Sequence, residues 1–491
     1  MKNTLNSKLA TLLCLAIFLI NSGCVSTLEK QSRVPSSELG NKVFLVNEAE
    51  MALRVRWDLL DMENEEIFAD FHVWDSNGAG GYSIAKLCSK AQQGVRVRLV
   101  VDGIAMALWG NEFIEGGLIR AIKETCTYQG REMMSIRFWN PVEANALPTL
   151  VAGKKSHRNH DKILYLKGLQ TVYEGDRNWQ NVNYRMDPNQ PGYSYFSVDA
   201  VVTGPVVNET AAYLETIWEL AKEFEPKLVT VADKTVTRHR SGGGPPDTTV
   251  SPLLRKEYYQ NTYDRKLADL QSKLKDIESG QLEFISAEKY EPIDWRAKAI
   301  PVKSARFLHF DAKAKLEGGD DSFNKELADL FASAQQKIFF ATPFLMLPEQ
   351  FHSALEDRAR NGVEISLLTS APNTRMGTVP KFYQFQNADI NRLRKIGTKI
   401  YQNTGTDAEH LKCIMIDRKK TFLGTHNMNP RSVDVDLESG FLFEDETLTM
   451  DLEAFVLANS EDYKKKKTVT HFLLSPIVKP LLRLKFLKRQ F

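Results

Sequence analysis

Cysteine is scarce, with five in 491 residues, and two of these, Cys14 and Cys24, fall within the first 24 positions. The remaining three, Cys88, Cys126 and Cys413, form no CxxC pair and no Cys/His pattern with zinc-ligand spacing. A disulfide scaffold is therefore excluded, and buried thiols with at most one disulfide are expected. The sequence writes no metal site and implies no cofactor. A charge excess is also missing, since 64 Lys and Arg oppose 62 Asp and Glu, and loss of the segment carrying Lys2 and Lys8 would make the counts equal. A nucleic-acid binder would carry a clear basic excess, so no nucleic-acid partner is expected. No long apolar run is present either, because Leu9 to Ile20 is too short to span a bilayer comfortably. What is present is a 43% hydrophobic chain, longer than one core usually serves, which predicts two domains or one fused double domain.

The first 24 residues have a basic start, the apolar run and then Asn21-Ser22-Gly23-Cys24, the layout of an export signal. Small residues before Cys24 resemble a bacterial lipobox, in which the cysteine becomes the lipidated first residue, although Asn21 stands where that pattern prefers Leu. Val25 gives no retention signal of the Asp type, so a lipid anchor in the cell envelope, facing the periplasm at the outer membrane, is the expectation, with the inner membrane as the alternative. At the far end, residues 464–491 interleave basic and apolar residues from Lys464 to Phe491. This composition suits a membrane surface, and equally a packed C-terminal helix with a basic edge that Pro476 and Pro480 would interrupt.

The chain repeats itself. Glu66-Ile67-Phe68-Ala69, a helical stretch and Gly94 to Asp102 are followed, in the second half, by Lys337 to Ala341, an amphipathic helix and Gly362 to Leu368. Each unit reads strand, helix, strand, which predicts an α/β fold of two repeats, each a mainly parallel sheet flanked by helices. The organisation expected is a first half over 25–225, a linker with a surface helix from Leu254 to Leu282 over 226–300, and a second half over 301–463. Ser241 to Asp247 is the densest cluster of turn residues and marks the linker.

Chemistry is written in both halves. His410-Leu411-Lys412, then Asp417 and Gly424-Thr425-His426-Asn427, match His160-Asp161-Lys162 and Gly175-Asp176-Arg177-Asn178. Strand alternation puts each His and Lys on one face, where Lys supplies a point charge, Asn a donor and His a nucleophile or proton carrier for a phosphate. Two half-sites about a pseudo-twofold axis imply one joint site.

The paired HxKxxxxD strings resemble the phospholipase D superfamily, in particular its bacterial cardiolipin synthase-like branch. The likeness extends to Gly94 to Asp102, Gly204 to Val207, Thr342-Pro343-Phe344 and Asn429 to Glu438. It implies a covalent phosphohistidine on His160 and proton transfer by His410, without a metal. Lys162, Lys412, Asn178 and Asn427 would stabilise the phosphoryl oxygens, and Glu438 would orient His160. The implied substrates are membrane phospholipids, and the acceptor is an alcohol or water. Asp417 would brace its strand, while Arg431 and Ser432 would hold the loop that carries Asn427.

Departures cluster in the first half. Lys167 replaces the motif Asp, one extra residue separates His160 from Asn178, and Ser197 stands where the orienting carboxylate of His410 belongs. Asp199, two residues on, is the expected substitute. Two alternatives stay open: an exported nuclease or phosphodiesterase of the same superfamily, and a catalytically weakened envelope lipoprotein. His72 and Tyr195 are assigned only packing roles.

Overall fold

The computed structural model describes residues 40–105, 117–141, 157–223, 252–280, 293–370, 382–405 and 407–463. The expected export signal with Cys24, the turn-rich linker at 241–247 and the basic tail lie outside the described residues. Among the described residues no helix is long and apolar enough to cross a membrane.

Besides a small hairpin at Thr127–Tyr128 and Arg131–Glu132, nine strands come from the first 301 residues: β1 (Lys42–Val46), β2 (Glu66–Phe71), β3 (Arg96–Asp102), β4 (Met134–Trp139), β5 (Lys162–Leu166), β6 (Thr171–Glu174), β7 (Tyr195–Phe196), β8 (Asp199–Thr203) and β9 (Ile300–Pro301). Nine follow: β10 (Ser304–His309), β11 (Lys337–Thr342), β12 (Glu364–Thr369), β13 (Lys399–Asn403), β14 (Ala408–Glu409), β15 (Cys413–Ile416), β16 (Lys420–Gly424), β17 (Ser439–Glu444) and β18 (Ser460–Asp462). Sixteen of these build two eight-stranded sheets, ordered β9-β1-β8-β6-β5-β2-β3-β4 and β10-β17-β16-β15-β11-β12-β13-β18, and β7 and β14 pair separately. The repeat is thus structural: β1, β8, β6, β5, β2, β3 and β4 match β10, β17, β16, β15, β11, β12 and β13.

The sheets are mixed rather than mainly parallel. Parallel pairing is confined to β2, β3 and β4 in one sheet and β11, β12 and β13 in the other, where helices carry the crossovers. The strands that follow the two histidines, β5 and β15, return through short hairpins, which join only antiparallel neighbours. The buried runs of β2 and β3 nonetheless have both faces covered. Helices Ala49–Met62, Gly78–Gln92 and Gly117–Thr125 cover one face of the first sheet, and the linker helix, found at Pro252–Ser279, adds Leu270 and Leu274 to that core. The other face merges with the second half in one hydrophobic cluster that joins Phe68, Ile163 and Val172 to Phe307, Leu437 and Phe441. Cys88 and Cys126 form a disulfide, and Cys413 is a buried free thiol.

The missing motif Asp has a replacement. In the second half, Asp417 accepts the backbone N–H groups of Gln335, Gln336 and Lys337 at 2.8, 2.7 and 2.8 Å, bracing the start of β11. In the first half Glu63 accepts those of Asn64, Glu65 and Glu66 at 2.9, 2.6 and 3.2 Å, and of Gly168 and Leu169 at 3.0 and 3.1 Å. The extra residue explains the exchange. The tight β15–β16 turn places Asp417 and Arg418 at φ of 52° and 57°, whereas the longer β5–β6 turn puts only Gln170 in the left-handed region. Lys167 is left half-exposed, 3.9 Å from Glu65.

Candidate active site

The two histidine strings meet by mutual pairing. His160 donates its backbone N–H to the Leu437 carbonyl at 2.9 Å, and His410 donates its own to Phe196 at 3.0 Å. Strands β7 and β14 pair in parallel, Tyr195 with Ala408 and Phe196 with Glu409, while Asn159 bridges Leu437. Each half therefore supplies the strand that holds the other's histidine. The glycines preceding the motif asparagines permit close approach: a Cβ on Gly175 would lie 2.0 Å from Asp199 Oδ1, and one on Gly424 2.3 Å from the Ser439 carbonyl.

Of the expected residues, His160, Lys162, His410, Lys412 and Glu438 share one buried field. His160 Nδ1 lies 2.8 Å from Glu438 Oε2, whose other oxygen accepts the Ser432 hydroxyl at 2.5 Å. Burial first, then Lys162, Lys412 and His410, hold the His160 imidazole well below its ordinary range. His410 is pushed down to about 4 by burial, opposed by Asp176. Lys162 and Lys412 curl back onto the carbonyls of their own histidines, both at 2.5 Å. Burial depresses both amines, Lys412 to about 8, and neighbouring carboxylates counter it. Asn178 and Asn427 sit at equivalent places after β6 and β16. Asn178 Oδ1 accepts the Val73 N–H at 3.1 Å, and the Asn427 carbonyl accepts the Thr342 hydroxyl at 2.6 Å. Asp417 lies at the far end of its hairpin, where it braces β11.

Asp199 does not serve His410. Phe196, Val198 and Ala200 join the core shared with the second half, while Val201 joins the opposite one. Asp199 turns to that opposite side, accepting from Tyr173 at 2.6 Å and pairing with Arg177 at 2.8 Å. The carboxylate beside His410 is Asp176, 3.6 Å from Nδ1 and 4.0 Å from Lys412 Nζ. Burial alone would push its carboxyl up, but Lys412, His410 and Arg177 outweigh that and hold it below the usual range.

Sequence reasoning missed Asp176, although a signal was present. Asp176 aligns with Thr425, and Ser197 aligns with Glu438, so each half has one carboxylate and one hydroxyl, in exchanged places. Thr425 bonds Glu438 in the second half. Two aromatic contacts were also missed: Tyr195 stacks on His410 at 4.9 Å and 23°, and His72 meets His160 edge-on at 4.8 Å. Ser432 does more than hold a loop, since its hydroxyl joins Glu438 to the Asn427 N–H. Among the described residues no group of three or more His, Cys, Asp or Glu is arranged to hold a metal ion.

Fold and site define a duplicated α/β protein with one joint two-histidine centre. The family described as cardiolipin synthase, PLD-like domain, matches residues 327–456. Cardiolipin synthase C of Escherichia coli is 23% identical over 420 residues, spanning 81% of this chain and 80% of that one. Cardiolipin synthase 2 of Staphylococcus epidermidis is 27% identical over 163 residues, 30% of this chain and 32% of the relative. The crystal structure of a phosphatidylserine synthase from Haemophilus influenzae superposes with a TM-score of 0.56 at 13% identity, covering 91% and 94% of the two chains, a likeness of fold. The second half thus matches a phospholipase D-like domain family, and the chain as a whole is similar to cardiolipin synthase-like members of that superfamily.

Proposed function

We propose that this protein is a phosphatidyltransferase acting on glycerophospholipids, with His160 as nucleophile and His410 as the proton donor and acceptor. One observation supports the assignment of roles: a carboxylate lies within hydrogen-bond distance of His160 Nδ1, whereas the one beside His410 Nδ1 stands off at 3.6 Å. Glu438 accepts from His160 Nδ1, which leaves the Nε2 lone pair for attack on phosphorus. Lys412 Nζ lies 3.1 Å from His410 Nδ1. Asp176 lies 3.6 Å from the same nitrogen, and as an imidazolium facing that carboxylate His410 gives its Nε2 proton to the leaving alcohol and is left as the neutral base. In the first step the His160 Nε2–phosphorus bond forms as the alcohol's phosphoester bond breaks. In the second, an acceptor alcohol gives its proton to His410 and displaces the histidine. Lys162, Lys412, Asn178 and Asn427 hold the phosphoryl oxygens. The cardiolipin synthase relatives support a lipid alcohol as acceptor. The Cys88–Cys126 disulfide supports an oxidising compartment, in line with export to the cell envelope.

Purified protein, beside His160→Ala and His410→Ala, is incubated with labelled phosphatidylglycerol in mixed micelles and the lipids are resolved by mass. Cardiolipin formed by wild type alone is the expected result, and phosphatidic acid alone would make the enzyme a hydrolase. No turnover of phosphatidylglycerol or phosphatidylethanolamine would overturn the lipid reading.

A further inference from the structure

Behind the nucleophile half lies a set of buried acids that the chemistry above does not use. Asp70, Asp161 and Glu174 are at most 1% exposed. Ile163 pairs with Asp70 on one side and Glu174 on the other. The second half is apolar at the matching places, where Cys413 pairs with Ala341 and Leu423, and Leu411 precedes Lys412. The fold therefore packs without these acids, and their presence in one half alone calls for a role.

Their hydrogen bonds restrict their protonation. Ser439 Oγ lies 2.8 Å from Asp161 Oδ1 and 2.7 Å from Glu174 Oε1. A hydroxyl owns one proton, so it cannot donate to two carboxylates. Asp161 also receives the Tyr213 hydroxyl on Oδ2 at 2.5 Å, which satisfies it as an anion near Lys162. Glu174 Oε2 is buried with no partner, as suits the carbonyl oxygen of a neutral acid and not a bare anion. The groups that face Glu174 are Ser439, Asp161, Lys162 and Asp70, and its burial raises its carboxyl well above the ordinary range.

We infer that Glu174 is a neutral carboxylic acid that donates its proton to Ser439, and that Glu174, Ser439 and Asp161 form a positioning relay across the two halves. Ser439 adjoins Glu438, so the relay fixes the strand that delivers Glu438 to His160 against the strand that delivers Lys162. Its catalytic readout rests on the lipid-transfer reading, but its protonation readout does not.

The test compares wild type with Glu174→Gln and Glu174→Ala by infrared difference spectroscopy at neutral pH and by lipid transfer. Wild type is expected to show a carboxylic-acid C=O stretch that Glu174→Gln lacks. The glutamine, whose amide N–H can make the same bond, should keep kcat within about twofold, while Glu174→Ala should lose about tenfold in kcat at unchanged KM. Absence of the acid band in wild type, or equal losses in the two variants, would overturn the inference. Should no lipid turn over in any sample, the band alone decides the protonation state.

Discussion

Replacing Glu63 by Ala removes the carboxylate that stands in for the missing motif Asp. Glu63 is fully buried and accepts five backbone N–H groups from the start of β2 and the β5–β6 turn. Charge-assisted bonds of this kind contribute about 1.5–3 kcal/mol each when left unmade. Asn64, Glu65 and Gly168 are exposed and would regain water, so the uncompensated loss falls on Glu66 and Leu169. A net cost of about 3 kcal/mol follows, and for a domain of this size each kcal/mol moves Tm by about 2–4 °C. The expected drop is therefore about 6–12 °C in a thermal melt. Lys167→Ala is the control: its exposed contact with Glu65 is 3.9 Å long, and such pairs are worth at most about 1 kcal/mol. Well below the transition, Glu63→Ala should keep its lipid-transfer kcat, because Glu63 lies at the hairpin end of β5 and not at the histidines. An unshifted Tm, or a shift no larger than that of Lys167→Ala, would refute the replacement.

Three further outcomes follow from the geometry. Replacing Cys88 and Cys126 by Ala opens a link across a sequence separation of 38 residues and should cost about 4 kcal/mol by loop entropy, read as a lower urea midpoint than wild type. Asp161 is pushed up to about 6, chiefly by burial, so the folded state takes its proton before the unfolded chain does and gains stability as pH falls through 6 towards 3.8. Asp161→Asn lacks that gain, so its deficit against wild type should widen by up to about 3 kcal/mol between pH 7 and 4, and a constant gap in denaturation midpoints would contradict the shift. Asp176→Asn removes the carboxylate beside His410 and should lower kcat about 10- to 100-fold with little change in KM; Asp199→Asn, which breaks the pair with Arg177, should act mainly on Tm.

The repeat, the two histidine strings and the reach of Glu438 to His160 were legible because each lies in a contiguous motif whose spacing survives duplication. Strand direction was less legible. The βαβ pattern at β2–β3 is real, but the residues after His160 form hairpins, and those put antiparallel strands through the middle of each sheet. The prediction for Asp199 failed because Tyr173 and Arg177 of the same half take up its carboxylate, contacts that no motif spacing reveals. Glu63 escaped notice for a different reason. It precedes β2 and lies 104 positions before the residue it replaces, so only the shared backbone donors reveal the exchange.

The departures in the first half thus have a common explanation. A decaying half-site would lose carboxylates without replacement, and its buried lysine and histidine would face uncompensated fields. Here each loss is matched: Lys167 by Glu63, and Ser197 by Asp176 where the second half has Thr425. The surroundings of the two histidines differ in a way that fits the proposed roles. Glu438 lies 2.8 Å from Nδ1 of His160, the proposed nucleophile. His410, the proposed proton carrier, has the looser carboxylate Asp176 at 3.6 Å, which favours its charged form and so its uptake of a proton. Duplication alone would have made the two half-sites alike; the exchanged carboxylates make them unlike, and a two-step displacement needs partners that are unlike.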